Sequence, residues 1–396
     1  MLTPARVPAW RVAALFVSFG IFVVSDVSMG ALARAAQEWA ERRATQAAVA
    51  RTTGATVAIR IPHPYYSHDL APNVEVTTTH GPIVYAMQTN SLGFRDAIRR
   101  DVPAKGSDPR ILVIGDSFVE GVGVEYASTV TGHLARRYAH DGIEVLNAGV
   151  VSYSPAIYWK KLEYLLERRS LSVDAVVVFL DMSDIQDEVA SYRIDARGRV
   201  IDAPDPPFDL LHAWMSNSLT YGVVTATTQR IWPHAAWGGC RVPGAGDYSC
   251  RVGWTLSRSA MNNFGRLGLE RADAHMSGLA ALLRARGIPV TLVVYPWPQH
   301  LLWNDRSSLQ VRYWRQWAGR ERVAFIELFT PFFAEVDAVG AKAAISRYFI
   351  EGDMHWNAAG HGLVAEYVAR HVVPPVRVTG PRVSVKAGRN RPVVSH

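Results

Sequence analysis

The sequence predicts an α/β sandwich in which helices cover both faces of a central parallel sheet. A wholly apolar run, the pattern of a strand buried on both faces, occurs at 111–114. Broadly similar runs lie at 175–180, 290–295 and 323–328, and 144–146 is a shorter candidate. Stretches with helical spacing lie between or after them, at 129–140, 156–169, 272–286 and 358–372. Strands that alternate with helices are typical of parallel sheets with right-handed crossovers. We therefore expect the chemistry in the loops that follow the strands.

The N-terminal segment, residues 1–33, has the pattern of a signal peptide or signal anchor. Arg6 and Arg11 precede an apolar run at 12–24, and Asp26 interrupts its continuation. Residues 31–33, Ala-Leu-Ala, resemble a cleavage site. The chain is therefore expected to be anchored in the inner membrane with its catalytic domain in the periplasm or outside, or secreted if the segment is cleaved. A buried amphipathic helix is the alternative.

Composition divides the rest of the chain into three parts. Residues 34–109 are predicted to form a stalk and lead-in segment, and residues 110–372 the main domain, with an insertion at about 191–271 rich in Trp, Pro, Gly and Asn. Residues 373–396 have the composition of a basic, disordered tail. The net charge of +7 would suit an acidic glycan, an anionic membrane surface or nucleic acid. Because the sequence has no nucleic-acid motif, no nucleic-acid partner is expected.

Neither the cysteines nor the acidic residues indicate a metal site. Cys240 and Cys250 are the only cysteines, and they would form either a disulfide after export or two unpaired thiols. No further Cys or suitably spaced His accompanies them, so no metal and no cofactor is expected. An acidic cluster after the third strand fits helix capping better than a metal site: Asp181, Asp184, Asp187 and Glu188.

Ser117 is the candidate nucleophile. It follows the first apolar strand in the turn 115–118, Gly-Asp-Ser-Phe. A serine there presents its hydroxyl at the carboxyl edge of the sheet, and the backbone N–H groups beyond it can face a developing oxyanion. Taken alone, the same turn also fits an ordinary helix cap.

Asp353 and His355 supply what such a serine lacks. A serine hydroxyl is a weak nucleophile near neutral pH, and a histidine is the residue suited to take its proton. The base needs a group that holds its tautomer, which Asp353 could provide. The pair lies before the last predicted helix. With Ser117 after the first strand, these residues predict a Ser-His-Asp triad.

At this point the sequence resembles the SGNH (GDSL-like) hydrolases, of the membrane-anchored bacterial type. Residues 115–118 resemble the family's first block, and 147–150 (Asn-Ala-Gly-Val) its second. Residues 182–184 occupy the place of the third block, and Asp353 with His355 resembles the fifth. The resemblance implies a flavodoxin-like three-layer sandwich with a central parallel sheet and an insertion after the third strand. It also implies an oxyanion hole formed by the N–H groups of Ser117 and Gly149. Residues 90–96 resemble the lead-in of anchored members.

Two departures from the family pattern bear on activity. Ser183 stands where the family has an oxyanion-donating Asn, so its hydroxyl would be the substitute donor. Only Met354 separates Asp353 from His355, whereas most members have two residues there. The Asp-x-His-Trp string at 353–356 resembles the branch that O-acetylates exopolysaccharides such as alginate, although there the pair precedes the serine. The resemblance implies a serine esterase acting on acyl esters, with O-acetyl groups of an extracytoplasmic glycan as the expected substrate. The alternatives are an exopolysaccharide O-acetyltransferase, a catalytically weak glycan-binding or assembly protein, and an anchored scaffold that uses the basic tail.

Other features are less specific. Tryptophans after the fourth strand suit sugar rings or packing equally well: Trp297, Trp303, Trp314 and Trp317. His361, inside the last predicted helix, is expected to be structural. Residues 121–123, Gly-Val-Gly, lack the Lys-Ser/Thr of a phosphate loop, so no nucleotide is expected.

Overall fold

The computed structural model describes most of the chain between residues 59 and 374. The described residues are 10, 11, 14, 17–32, 59–203, 218–220, 223, 224 and 249–374. Among them, no helix has both the length and the apolar character needed to cross a membrane. The stalk at 34–50, the tail beyond 374 and the pairing of Cys240 with Cys250 lie outside the described residues.

The core of the molecule is a mixed sheet of eight strands in the order β12-β11-β8-β6-β7-β5-β4-β3. Neighbouring strands from β12 to β7 pair in parallel, and β7 to β3 pair antiparallel. The predicted α/β sandwich is confirmed, because β6, β8 and β11 are buried along their whole length. The strands of this sheet are β3 (Glu75–His80), β4 (Ile83–Thr89), β5 (Arg95–Asp96), β6 (Arg110–Ile114), β7 (Glu144–Asn147), β8 (Ala175–Leu180), β11 (Val290–Val294) and β12 (Ala324–Glu327).

Part of the lead-in segment belongs to this sheet. Strand β5 joins β7 through the pair Arg95–Asn147, and β4 and β3 extend the same edge. The sheet therefore includes strands that the predicted boundary at residue 110 places in the lead-in. A separate hairpin of β1 (Arg60–His63) and β2 (Ser67–Leu70) precedes them.

The helices lie on both faces of the sheet. The chain moves from β6 to β7 in one direction and from β7 to β8 in the other, so right-handed crossovers place the two connecting helices on opposite faces. Helix α2 (Val130–Ala139) packs with α12 (Ala358–His371). Helices α3 (Pro155–Glu163) and α4 (Asp184–Ala190) pack with α7 (Arg266–Arg284). The helices are α1 (Ser117–Glu120), α2 (Val130–Ala139), α3 (Pro155–Glu163), α4 (Asp184–Ala190), α5 (Ser249–Leu256), α6 (Arg258–Ala260), α7 (Arg266–Arg284), α8 (Pro298–Leu302), α9 (Leu309–Glu321), α10 (Phe329–Val339), α11 (Ala341–Tyr348) and α12 (Ala358–His371).

Side-chain caps explain where several helices begin. Thr129 accepts a hydrogen bond from the Gly132 N–H at the start of α2. Asn357 accepts from Ala359 and Gly360 at the start of α12. Each cap satisfies backbone donors that the first turn of a helix leaves without partners. The observed helices α2 and α12 agree with the predicted helices at 129–140 and 358–372 to within one residue at each end.

The insertion follows α4, as the sequence predicts. It begins with a hairpin of β9 (Tyr192–Ile194) and β10 (Val200–Asp202). Helix α5 lies near its C-terminal end. Between these elements, the Ser218 hydroxyl and the Thr220 N–H donate hydrogen bonds to Asp26 of the helix at 17–32. The carboxylate that interrupts the N-terminal apolar run is therefore buried against the insertion.

Candidate active site

Ser117 is the first residue of α1, directly after the tight turn that follows β6. Asp116 caps α1 by accepting a hydrogen bond from the Phe118 N–H at 3.0 Å. The preceding glycine is required by packing, because a Cβ on Gly115 would lie 2.5 Å from Val119 Cγ2 and 3.0 Å from the Phe179 carbonyl oxygen. The strand and the cap together hold the Ser117 side chain at the carboxyl edge of the sheet.

The structure brings Ser117, His355 and Asp353 together. Ser117 Oγ lies 2.8 Å from His355 Nε2, and His355 Nδ1 lies 2.7 Å from Asp353 Oδ1. This is the order of contacts expected when a histidine takes the serine proton and a carboxylate fixes its tautomer. The catalytic roles remain predictions, but the geometry that they need is present.

The short Asp353-x-His355 spacing works because the loop folds around the carboxylate. Asp353 Oδ1 accepts hydrogen bonds from the backbone N–H of Met354 at 2.5 Å and of His355 at 3.1 Å. The Ile350 N–H donates to the His355 carbonyl at 2.9 Å, which closes the turn. One carboxylate therefore holds both the backbone of the loop and the imidazole ring.

The environment keeps Asp353 ionised. Burial pushes the pKa of Asp353 upward, but hydrogen bonds from His355 and His80 outweigh burial and hold its pKa well below the usual range. An ionised acid at neutral pH is what stabilises an imidazolium on His355 during proton transfer.

Asp116 also contacts Ser117, but it lies farther from the hydroxyl than His355 does. Its Oδ2 lies 3.4 Å from Ser117 Oγ, a longer contact than the one to His355. Burial, followed by the nearby Asp181 carboxylate, raises the pKa of Asp116 well above its usual range. Both the longer distance and the raised pKa make Asp116 a less suitable partner for the Ser117 proton than His355.

His80 is a residue of the site that sequence reasoning missed. It ends β3, and its Nε2 lies 2.7 Å from Asp353 Oδ2. The only local signal is a histidine before a Gly-Pro turn, and its partner lies 273 residues away. Nothing in the sequence around His80 indicates that contact.

The predicted oxyanion donors are differently placed. The Gly149 N–H donates to the Asn147 side chain at 3.1 Å, and a Cβ on Gly149 would lie 2.5 Å from Val119 Cγ1. The Ser183 hydroxyl donates to Asp181 Oδ2 at 2.5 Å. Because a hydroxyl carries one proton, Ser183 has none left for an oxyanion in this arrangement. The expectation that Ser183 replaces the family's Asn is therefore not supported by the geometry.

A buried cluster of three acidic residues, Asp116, Asp181 and Asp184, adjoins Ser117. Ligand atoms of Asp116, Asp181 and Asp184 lie within 4.8 Å of one another. Trp297 Nε1 donates to Asp181 at 2.7 Å, and the Tyr158 hydroxyl donates to Asp184 at 3.0 Å. Burial and the neighbouring carboxylates raise the pKa of Asp184 well above its usual range. Three carboxylates suit a hard cation in principle, but N–H and O–H donors already bond to each of these carboxylates.

The lead-in segment holds the turn that follows Ser117. Arg95, a buried residue of β5, donates to the Glu120 carbonyl at 2.8 Å and to the Val124 carbonyl at 2.5 Å. The buried Glu120 carboxylate in turn accepts from the Val151 N–H at 2.8 Å. Residues 90–96 therefore hold the end of α1 and the turn after it in place, through the hydrogen bonds of Arg95.

A cavity of about 480 Å³ opens above Ser117. The lead-in and the insertion both contribute to its walls, through Arg60 of β1 and Arg251 of α5. Arg60 is paired with the buried Glu120, and Arg251 with the buried Asp187. The lining residues are Arg60, Thr78, Thr79, His80, Tyr85, Asp116, Ser117, Val122, Val151, Ser152, Asp181, Ser183, Arg251, Met354 and His355.

The other candidate residues lie outside the cavity walls. Trp314 and Trp317 are buried in the core, Trp297 is buried against Asp181, and Trp303 is 42% exposed. Packing is therefore the role of the buried tryptophans. His361 is buried inside α12, and burial lowers its pKa to about 3, so it is neutral and structural.

Comparisons with known proteins give only distant likenesses. No protein-family model matches the chain, and no curated protein matches it. Among solved structures, TesA is 16% identical, with 66% of this chain and 97% of that chain covered and a TM-score of 0.36. A catalytic mutant of Axe2, an acetylxylan esterase from Geobacillus stearothermophilus, is 14% identical, with coverages of 68% and 95% and a TM-score of 0.39. A two-domain esterase active on acetylated mannans is 13% identical, with coverages of 67% and 48% and a TM-score of 0.37. At TM-scores below 0.5 these likenesses assign no function to this chain.

Proposed function

We propose that this protein is a serine esterase that cleaves acyl esters through a covalent acyl-enzyme. The observation that carries the proposal is the hydrogen-bonded chain from Ser117 Oγ through the His355 ring to Asp353. Each link lies within the distance that proton transfer requires. The serine also faces a cavity large enough for an ester substrate.

The proposed reaction follows from these contacts. His355 Nε2 takes the proton from Ser117 Oγ as the oxygen attacks the ester carbonyl carbon. The tetrahedral intermediate places its negative oxygen near the backbone N–H of Ser117, and Gly149 can contribute if its N–H turns from Asn147. His355 then gives the proton to the departing alcohol, which leaves an acyl group on Ser117. Water, deprotonated by His355, releases the acid and restores the hydroxyl.

We propose an O-acylated, extracytoplasmic glycan as the substrate, with O-acetyl groups as the esters. The support is the chemistry of the cavity walls, which present hydroxyl and guanidinium groups from Thr78, Thr79, Ser152, Arg60 and Arg251. Such groups suit the hydroxyls of a sugar rather than a long acyl chain. Acetate release from acetylated xylo- or manno-oligosaccharides would support this choice. Faster cleavage of long-chain 4-nitrophenyl esters than of the acetate would count against it.

The test of the serine mechanism is labelling with a fluorophosphonate probe. Native protein should be labelled, Ser117→Ala should not, and His355→Ala should be labelled far more slowly. Ser152→Gly is the matched control, because Ser152 lines the same cavity and its φ of 63° suits glycine. Loss of labelling in Ser152→Gly but not in Ser117→Ala would contradict the assignment, as would absence of labelling in folded native protein.

We also propose that the N-terminal segment anchors the protein in the inner membrane with the catalytic domain outside the cytoplasm. The support is the helix at 17–32, whose apolar side chains are exposed, including Phe19, Ile21 and Val24. A group of exposed apolar side chains on one helix is typical of a contact with lipid or with another partner. A C-terminal alkaline phosphatase fusion should be active, and deletion of residues 1–33 should abolish that activity. Activity without the segment would contradict the proposal.

A further inference from the structure

His80 reaches the catalytic loop from a different part of the fold. It is the last residue of β3 and pairs with Ile83 across the turn that leads into β4. Its Nε2 lies 2.7 Å from Asp353 Oδ2, and its ring meets the His355 ring edge-on, with centroids 5.0 Å apart. His80 is therefore in contact with the acid and with the base of the site.

The two oxygens of Asp353 have separate partners. Oδ1 accepts from the His355 ring and from two backbone N–H groups of its own loop. Oδ2 accepts from His80. Because all contacts to Oδ1 come from residues 354 and 355, His80 is the contact that ties the carboxylate to the sheet.

We propose that His80 is a positioning residue that acts through Asp353, an inference that rests on the proposed esterase function. Its Nε2–H fixes the second oxygen of the carboxylate, so the carboxylate plane cannot rotate about its side chain. A fixed plane keeps Oδ1 aligned with His355 Nδ1 and the His355 ring aligned with Ser117. The β3–β4 hairpin is thereby part of the catalytic apparatus, beyond forming a wall of the cavity.

The same three side chains could instead hold a metal ion. Ligand atoms of His80, Asp353 and His355 lie within 4.8 Å of one another. The contacts, however, have hydrogen-bond lengths and use different oxygens of Asp353, Oδ2 for His80 and Oδ1 for His355. His355 also faces Ser117 with its other nitrogen. This arrangement favours proton donation by His80 over metal coordination.

A pair of nearly isosteric substitutions separates donation from packing. His80→Gln retains an N–H that can reach Asp353, whereas His80→Met fills similar space without a donor. We expect His80→Met to lower kcat roughly ten- to hundredfold, the loss typical of one hydrogen bond to a charged group. KM should stay within about threefold of native, because the substrate does not depend on this contact for binding. His80→Gln should retain kcat within about fivefold of native.

The matched control is His133→Met. His133 lies on α2 and bonds to Arg136, away from the cavity walls, so its loss should leave kcat and KM unchanged. Each kcat is divided by the fraction of protein that the fluorophosphonate probe can label, which removes the effect of unfolded protein. Thermal unfolding of each variant is measured alongside.

Distinct outcomes separate this inference from the proposed function. Native protein that is not labelled overturns both. Native protein that is labelled and active, with His80→Met as fast as native, overturns the His80 inference alone. Equal losses in His80→Gln and His80→Met, accompanied by equal losses of thermal stability, would assign His80 a packing role and overturn it as well. Loss of native activity in EDTA that Zn²⁺ restores would show His80 as a metal ligand, with the same consequence.

Discussion

Ser183 donates its hydroxyl proton to Asp181 Oδ2 at 2.5 Å, and its backbone N–H donates to the same oxygen at 3.1 Å. The hydroxyl proton is therefore engaged by a carboxylate that directly follows β8, although Ser183 lines the same cavity as Ser117. Ser183, one of the predicted oxyanion donors, is thereby bonded to the acidic cluster of Asp116, Asp181 and Asp184.

Ser183→Ala should lower kcat less than about tenfold, because the hydroxyl makes no contact with the developing charge. Removing a true oxyanion donor costs roughly a hundred- to a thousandfold. Steady-state hydrolysis of 4-nitrophenyl acetate measures the difference. A loss of a hundredfold with unchanged thermal stability would show that the hydroxyl rotates toward the substrate in the reaction.

Asp353→Asn should lower kcat by roughly ten-thousandfold while leaving the fold intact, because an amide favours the wrong tautomer of His355. The acid also links stability to pH. Its folded pKa is depressed, so its stabilising effect is complete above the unfolded pKa of about 3.9 and is lost as pH falls toward the folded value. Urea unfolding should therefore show native protein more stable than Asp353→Asn at pH 7, with the gap narrowing below about pH 4. A gap that does not depend on pH would contradict the ionised state.

Gly149→Ala should destabilise the protein by about 1–3 kcal/mol, because the new Cβ would lie 2.5 Å from Val119 Cγ1 and 2.8 Å from the Glu120 nitrogen. Since Val119 and Glu120 belong to α1, the displacement should also slow the labelling of Ser117. Gly319→Ala is the matched control, because a Cβ added there would have nothing within 4 Å and the change should be neutral or slightly stabilising. Equal effects of the two substitutions on unfolding would refute the packing explanation.

His361→Gln should weaken the acid sensitivity of the fold. Burial lowers the folded pKa of His361 to about 3, so the stability it contributes is complete above its unfolded pKa of about 6.5 and falls with pH below that value. Between pH 6 and pH 4 the native protein should lose about 1.4 kcal/mol per pH unit more than His361→Gln. Urea unfolding at several pH values gives the slopes. Equal slopes would mean that His361 binds its proton in the folded state.

Much of the fold follows from local pattern. The apolar runs predicted the five parallel strands, and helical spacing predicted α2, α3, α7 and α12. Helices α8 and α9, between β11 and β12, were not predicted. The extension by β3, β4 and β5 was not predicted. Strand β3 contains Thr77, Thr78 and Thr79 and is only partly buried, so its sequence does not show the strong pattern of a central strand.

The candidate site was predictable where function depends on a short motif. Ser117 was identified by its place after β6, and Asp353 with His355 by their place before α12. The rule that carboxyl ends of parallel strands share an edge indicated the place of Ser117 in advance. It does not cover His355, because α10 and α11 separate β12 from the loop of His355. No such rule applied to His80, which lies in an antiparallel hairpin, or to the single proton of Ser183.

The sequence by itself determined the α/β class, the serine turn and the histidine loop, because strand burial and turn chemistry are local properties. Only the tertiary structure decided which hydrogen bonds those residues make. In the folded chain, His80 bonds to Asp353 and the Ser183 hydroxyl bonds to Asp181. Gly149 packs against Val119. The physical reason is that a hydrogen bond depends on distance and direction to within a few tenths of an ångström, and residues far apart in the chain acquire that relation only when the whole core has packed.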